Sequence, residues 1–310
     1  MKTCNNYIVA GHRFVVESSQ SDLLSRMTNY EPFKVSVDKS LSCVEDEVFV
    51  LHAEHAGLIG ESEKSNYHHL FTDCAEKDMP RIEVYHSSST DKAWLIRTSY
   101  IADSPICCEI VCNESFTQGN LYIASDCLDT RFCIDNALML MYAFRTAPLM
   151  TLEMHAAVVV KPDAVGQKGY LFLGHSGTGK STHARQWLAA FEDAWLLNDD
   201  NPILRVMENG EVRVYGSPWS GKTPCYKNAD VPVGGIVKLS QAPYNKISPI
   251  SLPEAYAYIL SSASGLKMNT EMADHMFKSI KAVITSVKMY HMECLPNVDA
   301  AHVCRSGMNK

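Results

Sequence analysis

The segment GHSGTGKST, residues 174–182, combines residue types that bind phosphate, and four of its residues fit the pattern G-x-x-x-x-G-K-[ST]. Glycines let consecutive backbone N–H groups point inward around phosphate oxygens, and a following helix adds partial positive charge at its N-terminus. Lys180 is predicted to contact the β- and γ-phosphates, and the Ser181 hydroxyl to ligate Mg²⁺. The predicted nucleotide-binding residues are Gly174, His175, Ser176, Gly177, Thr178, Gly179, Lys180, Ser181 and Thr182.

The flanking residues favour this interpretation. The apolar run YLFL precedes the segment and is typical of a strand, while KSTHARQWLAAF follows it and is typical of a helix. This strand–loop–helix order is the setting that the phosphate-binding pattern requires. The alternative is a glycine-rich turn that binds no ligand.

A pair of acids, Asp199 and Asp200, ends the apolar segment WLLNDDNP shortly after Lys180. Neighbouring residues of an extended segment point to opposite sides. One carboxylate is therefore predicted to face a metal ion while the other faces a hydroxyl as general base. The alternative is an Asn-Asp-Asp turn or helix cap. No Asn-Lys-x-Asp element follows, which disfavours a GTPase.

The chain divides into two predicted domains. Residues 1–128 contain short segments rich in aromatic and β-branched residues and form a β-rich N-terminal domain. Residues 129–310 begin with a helical pattern over 130–146. The elements predicted to follow are a hairpin, a helix over 180–191, a strand over 194–198, a hairpin turning at 207–212, a glycine- and proline-rich loop over 216–232, a strand at GGIVKLS, helices near 252–263 and 270–286, a strand at KMYHMECLP and a short tail.

Three motifs together, MHAAVVV, GHSGTGKST and LNDD, resemble the kinase domain of HPr kinase/phosphorylase, whose fold is shared with phosphoenolpyruvate carboxykinase. The resemblance covers roughly residues 130 to 300. It implies an α/β P-loop domain with a mixed β-sheet and flanking helices, using ATP and Mg²⁺. It also implies a metal-binding role for Asp199, a general-base role for Asp200 and a position for His155 beside both. HPr kinases are hexamers, so homo-oligomers are also implied.

The sequence leaves two interpretations for the role of several residues that can carry a positive charge. On its own, His155 is a lone histidine in an apolar run, for which a satisfied core position is the default. Lys222, in the loop SPWSGKTP, either contacts the γ-phosphate or is a solvated loop lysine. Arg205 and Arg213 are interpreted as surface charges, with phosphate or carboxylate recognition as the alternative.

The composition excludes some classes of protein. The 310 residues are 46% hydrophobic with a net charge of −7, which argues against a nucleic-acid-binding or anionic-membrane surface. No secretory signal or membrane span is found, so a cytoplasmic protein is expected. The eleven cysteines, among which Cys107, Cys108 and Cys112 are close in sequence, are interpreted as buried thiols in a reducing compartment, with a metal or disulfide role as the alternative.

The predicted function is an ATP- and Mg²⁺-dependent kinase that phosphorylates a hydroxyl, of a serine in a protein or peptide or of a small molecule. Its catalytic residues are expected to be Lys180, Asp200 and His155. One alternative is an ATP-binding regulator without turnover. The other is an enzyme similar to phosphoenolpyruvate carboxykinase.

Overall fold

The computed structural model describes residues 2–36, 47–73, 79–221 and 223–308. It is a mixed α/β structure, mostly strands, with two large mixed sheets. The chain forms two compact units, Met1–Arg145 (unit 1) and Thr146–Lys310 (unit 2). Within the described residues, no helix is both long and apolar enough to cross a membrane.

Unit 1 is built on a nine-stranded sheet in the order β3-β1-β2-β4-β9-β8-β7-β6-β5. The β2–β4 and β4–β9 pairs are parallel and the others are antiparallel. The strands are β1 (Thr3–Val9), β2 (His12–Ser18), β3 (Lys34–Val35), β4 (Phe49–Glu54), β5 (His68–Asp73), β6 (Ile82–His86), β7 (Trp94–Ser99), β8 (Ile106–Cys112) and β9 (Gln118–Ile123). The helices are α1 (Ser21–Ser25), a 3₁₀ helix (Thr28–Phe33), α2 (Glu61–Lys64) and α3 (Thr130–Thr146).

The boundary between the units lies at the C-terminal end of α3, between Arg145 and Thr146, whereas the sequence pattern predicts a domain change at residue 129. The reason is that α3 packs on the sheet of unit 1. The Tyr142 hydroxyl donates a hydrogen bond to the Val9 carbonyl at 3.0 Å, and Arg145 Nε donates to the Val48 carbonyl at 2.9 Å. A change of sequence period therefore marks the start of a helix here and not the start of a new unit.

Unit 2 contains a mixed sheet in the order β10-β14-β15-β16-β12-β11-β13, with β18 paired to β16 and to β17. Its strands are β10 (Thr151–Glu153), β11 (Ala156–Pro162), β12 (Gln167–Leu173), β13 (Trp195–Asp200), β14 (Ile203–Val206), β15 (Val212–Tyr215), β16 (Asp230–Gln241), β17 (Lys246–Pro249) and β18 (Met289–Cys294). The helices are a 3₁₀ helix (Ala147–Leu149), α4 (Lys180–Ala190), α5 (Leu252–Ser262), α6 (Thr270–Ser286) and α7 (Val298–Met308).

The central strands of unit 2 are apolar because both of their faces are buried. Strands β12, β16 and β18 run parallel to one another, and such strands carry continuous hydrophobic runs when both faces are buried. Helices α4 and α7 contact each other, and Trp187 of α4 packs in one apolar cluster with Phe172 of β12 and Met292 of β18. This core holds the C-terminal ends of the strands in fixed positions.

Most predicted elements of unit 2 are confirmed, and one prediction, the short C-terminal tail, is wrong. The predicted tail contains helix α7, whose Ala300 backbone N–H donates to the Asn297 side chain at 3.1 Å. Small buried residues, not large apolar ones, form the inner face of α7.

Candidate functional site

The pairing register of β11, β12 and β13 brings the three sequence motifs to the same end of these neighbouring strands of unit 2. Strand β11 lies between β12 and β13 and runs antiparallel to both. Its first residue, Ala156, is opposite Leu173 on one side and Asp200 on the other. His155, the glycine-rich loop (residues 174–179) and the acid pair therefore begin at the same level of three neighbouring strands.

The glycine-rich loop has backbone angles that only glycine adopts without strain. Gly177 and Gly179 have φ values of 74° and 106°, and α4 begins directly after Gly179. Within the loop, the Thr178 backbone N–H donates to the His175 carbonyl at 3.2 Å. The N-terminus of an eleven-residue helix thus opens onto a turn whose shape depends on its glycines, which is the arrangement that favours anions.

Lys180, the first residue of α4, is buried, with 9% of its surface exposed. Its ammonium group donates to the Gly174 carbonyl at 2.9 Å and to the His175 carbonyl at 3.4 Å, so the side chain curls back over the loop. Burial lowers the pKa of the Lys180 ammonium, while the carboxylates of Asp200 and Asp199 raise it. The cation is thus held next to the loop and close to both acids.

The two acids differ in exposure, as expected for neighbours on a strand. Asp199 is 5% exposed, whereas the Asp200 side chain is 37% exposed. Both belong to β13, which extends two residues beyond the predicted strand end. Together with the Ser181 hydroxyl these carboxylates offer the hard oxygen ligands that Mg²⁺ prefers, so the side chains present fit that ion.

His155 contacts the more exposed acid. Its Nε2 lies 3.4 Å from Asp200 Oδ1. Burial lowers the pKa of the His155 imidazole, Lys180 and His175 lower it further, and only Asp200 opposes them. Burial raises the pKa of the Asp200 carboxyl and Asp199 adds to the rise, against His155 and Lys180. A neutral imidazole next to a carboxylate of increased basicity is an arrangement suited to proton transfer.

Asn198, which the sequence analysis did not single out, fixes the acid pair. Its side-chain amide donates to Ser217 Oγ at 3.1 Å and to the Trp219 carbonyl at 3.0 Å, while its Oδ1 accepts from the Asp200 backbone N–H at 3.0 Å. All of these partners but Asp200 belong to the tryptophan loop (residues 216–221). The loop is therefore a support for β13, and its buried tryptophan is the sequence signal for that role.

Gly221, at the end of the tryptophan loop, lies against the acids. Its backbone N–H donates to the Asp199 carbonyl at 2.8 Å, and a Cβ atom added at this position would lie 3.0 Å from the same carbonyl oxygen and 3.3 Å from Asp200 Cγ. The Gly221→Ala variant is therefore expected to fold but to slow, by roughly tenfold to a hundredfold, any reaction that needs the Asp200 carboxylate in place, because small displacements of reacting groups are costly.

Steady-state kinetics on Gly221→Ala and on a control, Gly60→Ala, tests this expectation. The added Cβ of the control meets nothing nearer than Ser62 Oγ at 3.9 Å. Equal rates for the two variants would show that the packing of Gly221 on the acids is not needed.

Glu153 is a second site residue that the sequence analysis missed. It is 1% exposed, its Oε1 accepts a long hydrogen bond from Ser264 Oγ at 3.5 Å, and its Oε2 has no partner among the described residues. Burial raises the pKa of the Glu153 carboxyl well above its usual range, and the charge of Asp200 raises it further. Its position two residues before His155 was the only signal in the sequence.

Glu153 should make stability fall as pH rises. Because its pKa is raised, this carboxyl should keep in the folded chain a proton that the unfolded chain releases above a pH of about 4.5, so unfolding becomes easier by up to about 1.4 kcal/mol per pH unit until the folded pKa is reached. Glu153→Gln removes this dependence. Urea unfolding at pH 5 and pH 8 should therefore show the variant gaining stability relative to the wild type as pH increases. Parallel pH profiles would contradict the assignment, and the exposed Glu208→Gln serves as control.

The remaining predicted residues have varied surroundings. His175, Ser176 and Gly177 are exposed at the tip of the glycine-rich loop, and Ser181 and Thr182 are half-buried on the first turn of α4. Arg213 pairs with Asp230 at 2.6 Å and with Glu211 at 2.9 Å, as a surface charge would. The predicted phosphate contact, Lys222, lies outside the described residues.

A cavity of about 520 Å³ opens next to the glycine-rich loop. Its lining includes Gly179, Thr182 and His183 from the start of α4, and Leu239 and Gln241 from the end of β16. The Gln241 side chain also donates to the Gly177 carbonyl at 3.3 Å. A second cavity, of about 600 Å³, lies between the end of α6 and the start of β18 and is lined by none of the motif residues. Cavity volume alone therefore does not identify the candidate functional site.

Comparison with known proteins adds no family to these observations. No protein-family model matches the chain, and no curated protein matches it. Functional inference therefore depends on the geometry of the site itself.

Proposed function

We propose that unit 2 is an ATP- and Mg²⁺-dependent kinase of the HPr kinase/phosphoenolpyruvate carboxykinase type, which phosphorylates a hydroxyl group. The observation that carries the proposal is the register of β11, which places His155, Lys180 and Asp200 around one point although they are far apart in sequence. A glycine-rich turn without a ligand explains the loop but not this convergence.

The glycine-rich loop and Lys180 bind the triphosphate. Loop N–H groups and the α4 N-terminus interact with phosphate oxygens, and the buried ammonium group balances charge on the transferred group. Mg²⁺, when bound, neutralises phosphate charge and orients the leaving group, with Ser181 and Asp199 to hold it. The nucleoside is assigned to the 520 Å³ cavity, whose volume is within the range of small-molecule sites.

Asp200 is the general base. Its half-exposed carboxylate accepts the proton of the acceptor hydroxyl as the hydroxyl oxygen bonds to the γ-phosphorus and the bond to the β–γ bridging oxygen breaks, releasing ADP. Neutral His155, 3.4 Å away, orients this carboxylate and adds no second positive charge to compete with Lys180. Buried Asp199 cannot approach an acceptor as freely, which assigns the metal-binding role to it.

The proposal is tested with ATP labelled at the γ-phosphate, Mg²⁺, and a degenerate peptide library that carries serine, together with the same library carrying alanine in its place. We expect label in the serine library alone, and none with Asp200→Asn. Tight ATP binding without transfer to serine or threonine peptides, to hydroxyl-bearing small molecules or to water would favour the regulator and end the kinase proposal. Conversion of oxaloacetate and ATP to phosphoenolpyruvate would instead favour the carboxykinase.

A further inference from the structure

Four cysteine thiols lie close together in unit 1, far in sequence from the proposed kinase residues. The Sγ atoms of Cys107, Cys108 and Cys133 all lie within 4.8 Å of one another, and Cys127 Sγ lies 3.6 Å from Cys133 Sγ. All four residues are buried. Among the described residues, this is the one place where three side chains of the metal-binding types bring their ligand atoms so close.

A β-bulge makes this cluster possible. In a regular strand the adjacent Cys107 and Cys108 would point to opposite faces of the sheet. Strand β8 has an extra residue here, since Thr98 is opposite Cys108 while Ser99 is opposite Ile106, so no residue of β7 is opposite Cys107 in the register. Such a bulge redirects one side chain, and it places both thiols on the same side.

The other two thiols come from the segment that begins α3. Asp129 caps this helix by accepting from the Phe132 backbone N–H at 3.0 Å, which fixes Cys133 in the first helical turn. Cys127, just before the helix, has its Sγ 3.0 Å from the Tyr100 hydroxyl. That hydroxyl can donate to a thiolate, as the groups surrounding a metal site commonly do for its ligands.

We propose that Cys107, Cys108, Cys127 and Cys133 bind one Zn²⁺ ion. Four thiolates at a Zn–S distance of about 2.3 Å in a tetrahedron are about 3.8 Å apart. The Sγ atoms of Cys107, Cys108 and Cys133, all within 4.8 Å of one another, need only a small contraction to reach it. Cys127 Sγ lies 3.6 Å from Cys133 Sγ and would complete the tetrahedron by moving toward the other two thiols. Soft thiolate ligands select zinc over Mg²⁺, so the ion of this site differs from the one proposed for unit 2.

The site is structural. It offers four protein ligands and no exposed position for substrate, and it joins the bulge of β8 to the first turn of α3. Zinc that binds only the folded chain, and not the unfolded chain, stabilises the fold. Removal of the zinc should therefore lower the melting temperature.

Metal analysis of the full chain, purified under reducing conditions and reconstituted with Zn²⁺, tests the proposal. We expect about one zinc per chain, and Co²⁺ in its place should give the intense visible bands of tetrahedral thiolate coordination. Cys133→Ala should lose the zinc. The control Cys112→Ala should keep it, because Cys112 is also fully buried in β8 but lies about 13 Å from Cys108 along the strand.

Several results would overturn the inference. Wild-type protein that binds neither Zn²⁺ nor Co²⁺ would overturn it, and no variant is needed for that result. Stoichiometric iron or copper in place of zinc would also overturn it. A disulfide between Cys127 and Cys133 in the purified chain, found by mass spectrometry together with no metal, would assign the pair to redox chemistry. Equal zinc content in Cys133→Ala and Cys112→Ala would show that the metal binds elsewhere. A chain that binds zinc but transfers no phosphate would support this inference and contradict the proposed kinase. A chain that transfers phosphate but binds no zinc would do the opposite.

Discussion

Replacing Lys180 by methionine is expected to reduce phosphoryl transfer by at least about a hundredfold, in the range found for removal of one group that stabilises transition-state charge. The physical reason is that the ammonium group is buried and held at the loop by the Gly174 carbonyl, 2.9 Å away. Methionine keeps the length and apolar stem of lysine but not its charge. ATP affinity should fall as well, because in the proposed complex the same cation faces the triphosphate before transfer.

Thermal unfolding separates this effect from misfolding. Burial lowers the pKa of the Lys180 ammonium, which means that the charge costs stability in the absence of phosphate. The variant should therefore melt no lower than the wild type while losing transfer. The exposed Lys281→Met on α6 is the matched control and should retain activity. Normal transfer by Lys180→Met would remove the loop from the mechanism.

Asp200→Asn should reduce transfer by about 10²- to 10⁴-fold while leaving ATP binding nearly unchanged, since a positioned general base contributes an effect of that size. The amide keeps the shape of the carboxylate but cannot accept the proton. Asp199→Asn, the matched neighbour, should instead weaken the Mg²⁺ dependence of ATP binding, because its buried side chain is assigned to the metal.

The pH profile gives the Asp200 assignment a second test. A general base works only when ionised, so transfer should fall as pH decreases through the pKa of Asp200, which burial raises above its ordinary value. Asp200→Asn should lack this acidic limb. If instead Asp199→Asn loses transfer and its acidic limb while Asp200→Asn keeps both, the two roles must be exchanged.

Local sequence patterns predicted the elements well where the pattern was strong. The helices predicted over 130–146 and 270–286 have the same bounds as α3 and α6. The predicted loop also lies between a strand, β12, and a helix, α4. These features depend on residues within a few positions of one another, and a sequence displays them directly.

Contacts between residues that are far apart in the sequence could not be predicted in the same way. Asn198 and Glu153 act through partners in other elements, Ser217 and Ser264, and no spacing rule connects these residues. The cysteine cluster depends on a one-residue bulge in β8, whereas the sequence suggested Cys112 as the companion of Cys107 and Cys108. Register, not composition, decides which side chains meet.

Calorimetric titration of the purified chain with ATP in the presence of Mg²⁺ tests whether the glycine-rich loop and Lys180 bind the nucleotide. We expect one ATP to bind per chain of the wild type, strongly weakened binding to Lys180→Met, and binding to Lys281→Met like that of the wild type. No heat of binding to the wild type with or without Mg²⁺, or equal affinity in Lys180→Met, would contradict this expectation.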